Sequence, residues 1–557
     1  MQQAVWEKPG PGTWLLDSSH AGPAPGPILR ELYETSLERG MSDGFAVFGS
    51  PLKTMEMRFV NGKFYRRLVP LVGGGRDLPP PPTPVLWLAS RIHPEFRRQE
   101  RRAKESFAVK RWRDELARWE NEWKPEITKQ NLEFSDVDVA ALDDAALASH
   151  LRDLYDHLRA TVRLHFRLHV SDMGPLGNLM VHLEQWGLSR ADTFRALVAA
   201  SPATRAPARQ LAHLADELAR AGVDETGISS LDAVRAASPE CASLLDEYLR
   251  HHGWRMTTGY DLEDRTLVEI PNAIVSTIRA ALAKRAAGAG EAESDARTSE
   301  RERLALRAEV PPEHCDAFDD LVEDARLCYG LRDENGPITY EWPAGLLRRA
   351  LLEAGRRLAS TGVISADGRI FELSVDEIAG LLTGATTPTS EEVEERAKER
   401  AWWASLEAPE RLGPEEAPPP VDALPPNLAR LTRIVLTVVS ALEADRDAAA
   451  LTGIGIGTEA YTGTARIVRD ASEAFDVVEP GDVIVTPYTA PTYNAVLAMA
   501  GAVVTEEGGL LCHAAVIARE LGLPAVIGAN SAMDRIPDGA TVQVDPVAGR
   551  VTVVSVS

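Results

Sequence analysis

The stretch GAVVTEEGGLLCHAAVIARELGLPAVIG, residues 501–528, decides how the last part of this chain folds. Ala502 to Thr505 is a short run rich in β-branched residues, which reads as a buried strand, and Gly508 and Gly509 after it permit a tight turn. His513 opens a short helix whose Ala514, Ile517, Ala518 and Leu521, spaced by three and four, form one apolar face. Gly522 suits the left-handed capping position and Pro524 cannot continue a helix, so Pro524 to Ile527 is predicted to be the next strand.

This order puts the His513 imidazole at the first turn of a helix, where the macrodipole and the unpaired backbone N–H groups favour an anion. Gly508 and Gly509 let the backbone come close to a phosphoryl group. An imidazole with an ordinary pKa of ~6.5 is largely neutral at physiological pH, so one ring nitrogen can attack phosphorus, and the phosphohistidine formed can pass the group on. A histidine at a helix start also serves as a plain capping or surface residue, so its setting has to carry the assignment.

Outward from this stretch, residues 451–557 alternate short strands and tight turns, a compact α/β unit. Before it, residues 384–450 combine acidic runs, clustered prolines and an apolar helix, and read as linker and connecting helix. Residues 91–383 carry long segments with apolar residues three and four apart, as in Leu151, Leu154, Tyr155 and Leu158, and are predicted to be a mostly helical domain. Two stretches interrupt it: residues 253–272 break the helical period, and the polar tract 284–303 reads as a mobile loop. Residues 1–90 contain turns, a helix near Ile28 to Glu38 and a hairpin at Asn61-Gly62, and the run Pro79 to Pro82 reads as a stiff connector.

With 557 residues, 44% of them apolar and 26% charged, the chain can fill several hydrophobic cores. A formal charge of −23 opposes binding to nucleic acid or anionic membranes, because basic surface supplies most of that attraction. Cys241, Cys315, Cys328 and Cys512 show no CxxC spacing, which argues against a zinc site or a disulfide scaffold, and no metal site is expected. The first residues carry neither a basic leader nor an apolar core, and no apolar stretch is long enough to span a bilayer, so a cytoplasmic protein is expected.

The string TEEGGLLCHAAVIARELGLPAVIG, together with residues 453–470, 479–506 and 538–553, closely resembles the phosphohistidine domain of the phosphoenolpyruvate-utilising enzymes, such as phosphoenolpyruvate synthase and rifampin phosphotransferase. The resemblance implies a multidomain protein: a mostly α-helical substrate-binding region plus a C-terminal α/β swivelling phosphohistidine domain of β/β/α type. His513 matches the phosphorylated residue. Relatives carry Thr two residues before it, and this chain has Leu511. Shorter stretches, including residues 17–29, 248–262, 331–342 and 347–364, resemble rifampin phosphotransferase-like proteins and phenylphosphate synthase. There Arg332 matches an acceptor-site arginine able to clamp phosphoryl oxygens, whereas the lysine of those relatives is Gly336 here.

Asp333 and Glu334 accompany Arg332, and the three read either as part of that site or as a solvated charge cluster at a helix end. Arg255, Tyr260 and Asp261, where the helical pattern breaks, and His20 near the N-terminus are further substrate-binding candidates; packing or capping around turns is the other reading. Neither a P-loop nor a stretch like an ATP-grasp domain is visible, nor a barrel for phosphoenolpyruvate. The expectation is one part of a split phosphotransferase: an ATP-grasp-type protein supplies ATP and Mg²⁺, His513 receives the phosphoryl group, and a small organic hydroxyl or carboxylate takes it, with phosphate elimination as a further step. The alternative is a regulatory phosphocarrier that acts by docking to another protein.

Overall fold

The structure is a computed structural model that describes residues 4–17, 22, 24–75, 81–190, 192–197, 202–256, 260–286, 292–415, 420–442, 451–457, 459–469, 471–489, 493–497, 499–510 and 512–555. His20, Gly259, Leu511, Pro79 and Pro80 lie outside these residues. The chain forms two compact units, one of Met1–Pro175, Tyr260–Glu263 and Asn335–Val435, the other of Leu176–Gly259, Asp264–Glu334 and Leu436–Ser557.

In the first unit a four-stranded sheet has the order β2-β3-β1-β4, with β1 Trp14–Leu16, β2 Leu52–Val60, β3 Lys63–Pro70 and β4 Arg411–Leu412. Asn61 and Gly62 join β2 to β3 with φ of 47° and 72°, the two positive values that a tight hairpin of this twist requires. The helix expected near Ile28 starts at Pro27 and continues through a π-helical turn, Tyr33–Leu37, to Phe48. It lies close against the long helix Asp144–Gln185 because Gly40 and Gly44 carry no side chain there: a Cβ would stand 2.3 Å from Arg163 O and 2.7 Å from Arg167 O. Leu151, Leu154, Tyr155 and Leu158 of the long helix are all buried, as their spacing predicts.

Much of the stretch read as linker is built into this unit. Residues Ser390–Ala404 form a helix with a Thr389/Glu392 capping box, and Arg411–Leu412 pairs with Trp14 and Leu15. Arg400 bridges Glu372 at 2.7 Å and Glu263, which fastens this helix to its neighbours.

The second unit joins a helical part to a seven-stranded sheet. The polar tract expected to be a loop is helical over Pro271–Ala286 and Ala292–Glu309. Its Ala, Glu and Arg residues have high helix propensity, and Arg303 and Arg307 hold Asp319 of the helix Cys315–Gly336 at 3.0 and 2.8 Å. The break at 253–272 is real: Met256 bridges Thr266, and a 3₁₀ turn follows over Leu267–Glu269.

The sheet has the order β11-β10-β6-β7-β8-β9-β5, with β5 Ile454–Ile456, β6 Tyr461–Ile467, β7 Val483–Thr486, β8 Ala502–Thr505, β9 Ala525–Ile527, β10 Thr541–Asp545 and β11 Arg550–Ser555. Strands β6 to β9 are parallel, and the outer pairings are antiparallel. Alternate residues feed two apolar layers. Ile484, Val503 and Ile527 face the helix His513–Leu521, while Val483, Val485, Val504 and Val526 pack with Val542, Val544 and Val551. Burial on both faces is why β7 and β8 read as unbroken apolar runs. The architecture is therefore multidomain, mostly helical, with a C-terminal α/β domain. Among the described residues no helix is long and apolar enough to cross a membrane.

Candidate functional site

The helix His513–Leu521 starts just beyond the C-terminal end of β8, and Gly522 ends it at φ 65° as expected. Its Ala514, Ile517 and Ala518 lie in the layer that also holds Val503 and Ile527, which fixes the first turn above the sheet edge. The connecting loop depends on Gly508, whose φ is 114°; a Cβ there would stand 2.7 Å from Cys512 Sγ and 3.2 Å from Ile527. Cys512 N–H donates to Gly509 O at 3.0 Å, and Arg519 Nη1 donates to Leu510 O at 2.8 Å, so both ends of the turn are tied down.

Thr489, absent from the sequence reading, supplies the contact that orients the imidazole. Its Oγ1 lies 2.8 Å from His513 Nδ1. Thr489 follows β7 and His513 follows the adjacent parallel strand β8, so both stand at the C-terminal edge of the sheet, the usual location of functional loops in parallel arrangements. That placement was the available signal, and it required knowing that β7 and β8 are neighbours.

Arg332, on the helix Cys315–Gly336, is brought to the same place: its charge acts on both His513 and Cys512. Burial, and then the Arg332 guanidinium, push the His513 imidazole down to about 3, although the residue keeps an accessible edge. Its neighbours therefore hold the ring neutral, with a lone pair on one nitrogen. Burial pushes the Cys512 thiol up, so it stays protonated and packs as a small apolar group. A cation beside the ring disfavours a proton on it but favours a phosphoryl group, because the two carry opposite charge.

The other candidates separate. Asp333 and Glu334 are half-buried beside Arg332 on the same helix. Arg255 is in the same unit as His513; its charge acts on Tyr248 and His252, and its carbonyl accepts from Leu267 N–H at 3.1 Å. Tyr260 and Asp261 belong to the first unit, where the Tyr260 carbonyl accepts from Tyr340 OH and both act on the buried Tyr33. Among the described residues no group of His, Cys, Asp and Glu side chains is placed to hold a metal ion.

Residues 478–549 match the PEP-utilising enzyme mobile domain, and residues 177–333 match the rifampicin phosphotransferase fourth domain. Rifampicin phosphotransferase of Streptomyces sviceus is 25% identical over 465 residues, 77% of this chain and 50% of the relative. An uncharacterised phosphotransferase of Bacillus subtilis, YvkC, is 29% identical over 313 residues, 56% of this chain and 36% of the relative. Phosphoenolpyruvate synthase of Escherichia coli is 44% identical over 97 residues, 17% of this chain and 12% of the relative. The chain thus spans half or less of the length of these relatives. The chain is thus similar to the phosphoenolpyruvate-utilising enzymes over residues 478–549 and to rifampicin phosphotransferase over residues 177–333.

Proposed function

We propose that this protein is a phosphotransferase component in which His513 carries the phosphoryl group to a small organic acceptor. The observation that carries the reading is the pairing of Thr489 with Nδ1 at 2.8 Å beside the Arg332 charge. With Thr489 accepting from Nδ1–H, the lone pair lies on Nε2, which attacks the terminal phosphorus of the donor nucleotide as the bridging P–O bond breaks. In the second half-reaction an acceptor oxygen attacks the same phosphorus, the P–N bond breaks, and the electron pair returns to Nε2. Arg332 stabilises the charge on the transferring group, the task for which a guanidinium beside a neutral ring is suited.

Each transfer needs the reacting atoms within about 3–3.5 Å, so a carrier serving a donor and an acceptor has to move between them. In this reading the donor is ATP with Mg²⁺ on a separate nucleotide-binding protein of ATP-grasp type. The acceptor is a hydroxyl or carboxylate compound bound by this chain, with Asp333 and Glu334 near its entry and phosphate elimination as a following step. The name of the Streptomyces relative supports an organic acceptor rather than a protein.

The test is incubation with candidate nucleotide-binding partners and γ-labelled ATP. Acid-labile, base-stable label on the wild type that is absent from His513→Ala supports the reading, and label persisting in that variant ends it. Release of inorganic phosphate together with a dehydrated product distinguishes elimination from simple transfer.

A further inference from the structure

Away from His513, within the first unit, the helix Thr83–Ile92 buries one side only. Ser90 is fully buried and its Oγ donates to Ala423 O at 3.1 Å, while Leu86 packs on the cluster of Phe96, Leu424 and Leu428. The other side presents Val85, Leu88 and Ile92, spaced by three and four, with Trp87 beside them, at 55%, 52%, 64% and 49% exposure. Single apolar side chains scattered over a surface are ordinary, but four large ones within ten residues form a patch of the kind that marks an interaction site.

The patch has a basic border. The next helix, Pro94–Ala108, buries Phe96, Gln99, Ala103 and Ser106 and leaves Arg97, Arg101 and Lys104, spaced by four and three, in solvent. These three cations have no ion-pair partner among the described residues. The nearby carboxylates are otherwise engaged: Glu95 holds Arg98 at 2.8 Å, and Glu100 accepts from the backbone N–H groups of Asn427 and Leu428 at 3.2 and 2.9 Å. Residues 83–113 hold nine Lys or Arg against three Glu, in a chain whose formal charge is −23. Arg91 lies 4.2 Å from the centroid of the Trp87 ring and donates to Ala423 O at 2.9 Å, so both side chains are pinned before any partner arrives. Preordered Trp and Arg are the side chains that contribute most at the centre of protein interfaces.

We propose that this face docks the separate nucleotide-binding protein that phosphorylates His513, through an apolar cleft on that protein bordered by carboxylates. The inference rests on the split-donor reading above, which requires such a protein. Charge decides against the other occupants. Two copies of the face paired about a two-fold axis would set one basic border against the other, and the acidic body of the chain opposes an anionic bilayer.

Two variants of the full chain test this: Trp87→Glu with Leu88→Glu, and Arg97→Glu with Arg101→Glu and Lys104→Glu. All five positions are exposed, so the fold tolerates the changes. His513 is labelled from γ-labelled ATP by the candidate nucleotide-binding protein that labels the wild type, held below saturation, and separately by phosphoramidate, which needs no partner. The expected result is a loss of at least about tenfold in the ATP-dependent rate for the first variant. The second loses about tenfold at low salt and less at high salt, and neither changes the phosphoramidate rate. An ATP-dependent rate equal to wild type in the first variant overturns the proposal, and so does an equal loss with both donors. A wild type labelled by phosphoramidate but by no nucleotide-binding candidate removes the split-donor reading itself. Dimerisation of the wild type, or its sedimentation with phosphatidylglycerol vesicles, abolished in the first variant, assigns the face to a second copy or a lipid surface and overturns the proposal.

Discussion

Thr489→Val removes one hydroxyl and keeps the side-chain volume. Thr489 is only 9% exposed and its oxygen lies 2.8 Å from His513 Nδ1, so the change deletes one hydrogen bond at little packing cost. Such a bond contributes about 0.5–1.5 kcal/mol net, which at RT of about 0.59 kcal/mol changes a tautomer ratio by roughly 2- to 13-fold. In the proposed reading Thr489 accepts from Nδ1–H, so that energy favours this tautomer and places the lone pair on Nε2. The variant is expected to show more of the Nε2–H tautomer in ¹⁵N-detected histidine spectra. Phosphorylation of His513 by phosphoramidate, a small chemical donor that needs no partner protein, is expected to slow by a factor in the same range. The reasoning fails if the wild-type ring already carries its proton on Nε2, or if neither the tautomer ratio nor the rate changes in the variant.

Arg332→Gln removes the cation that, after burial, lowers His513, so the ring is expected to titrate higher while burial still holds it below ~6.5; an unchanged Cε1–H titration would place Arg332 outside the site. Gly508→Ala forces a Cβ to within 2.7 Å of Cys512 Sγ at a φ of 114°, and is expected to cost about 1–3 kcal/mol or more in denaturant unfolding while lowering His513 phosphorylation. The His513 ring also couples stability to pH. Its folded value near 3 lies below the unfolded ~6.5, so between these values the unfolded chain binds more protons and stability falls as pH falls. At pH 5 the contribution is about 1–2 kcal/mol, so His513→Gln is expected to gain on the wild type in thermal melts from pH 7 to 4; parallel curves would contradict the assigned environment.

How much of the site could be read along the chain follows from how local each feature is. The helix His513–Leu521 is set by neighbours in sequence: spaced apolar residues, a terminal glycine and a following proline. The same holds for the Asn61-Gly62 hairpin, where two positive φ values demand those residue types. The polar tract 284–303 was misread because composition alone resembles a loop, whereas helix propensity and the pairing of Arg303 and Arg307 with Asp319 make it helical. Arg255 and Tyr260 stand close together in sequence where the helical pattern breaks, yet they belong to different units.

The sequence by itself determined that a histidine follows a glycine turn at a helix start and that the last domain is an α/β sheet, because capping chemistry and apolar period act over a few residues. Only the tertiary structure decided that Thr489 meets Nδ1 and that the Arg332 charge reaches the ring, since those groups lie 24 and 181 positions from His513 in the chain. A strand pairing and a helix packing bring them together, and the burial that accompanies this packing turns an ordinary imidazole into one held neutral.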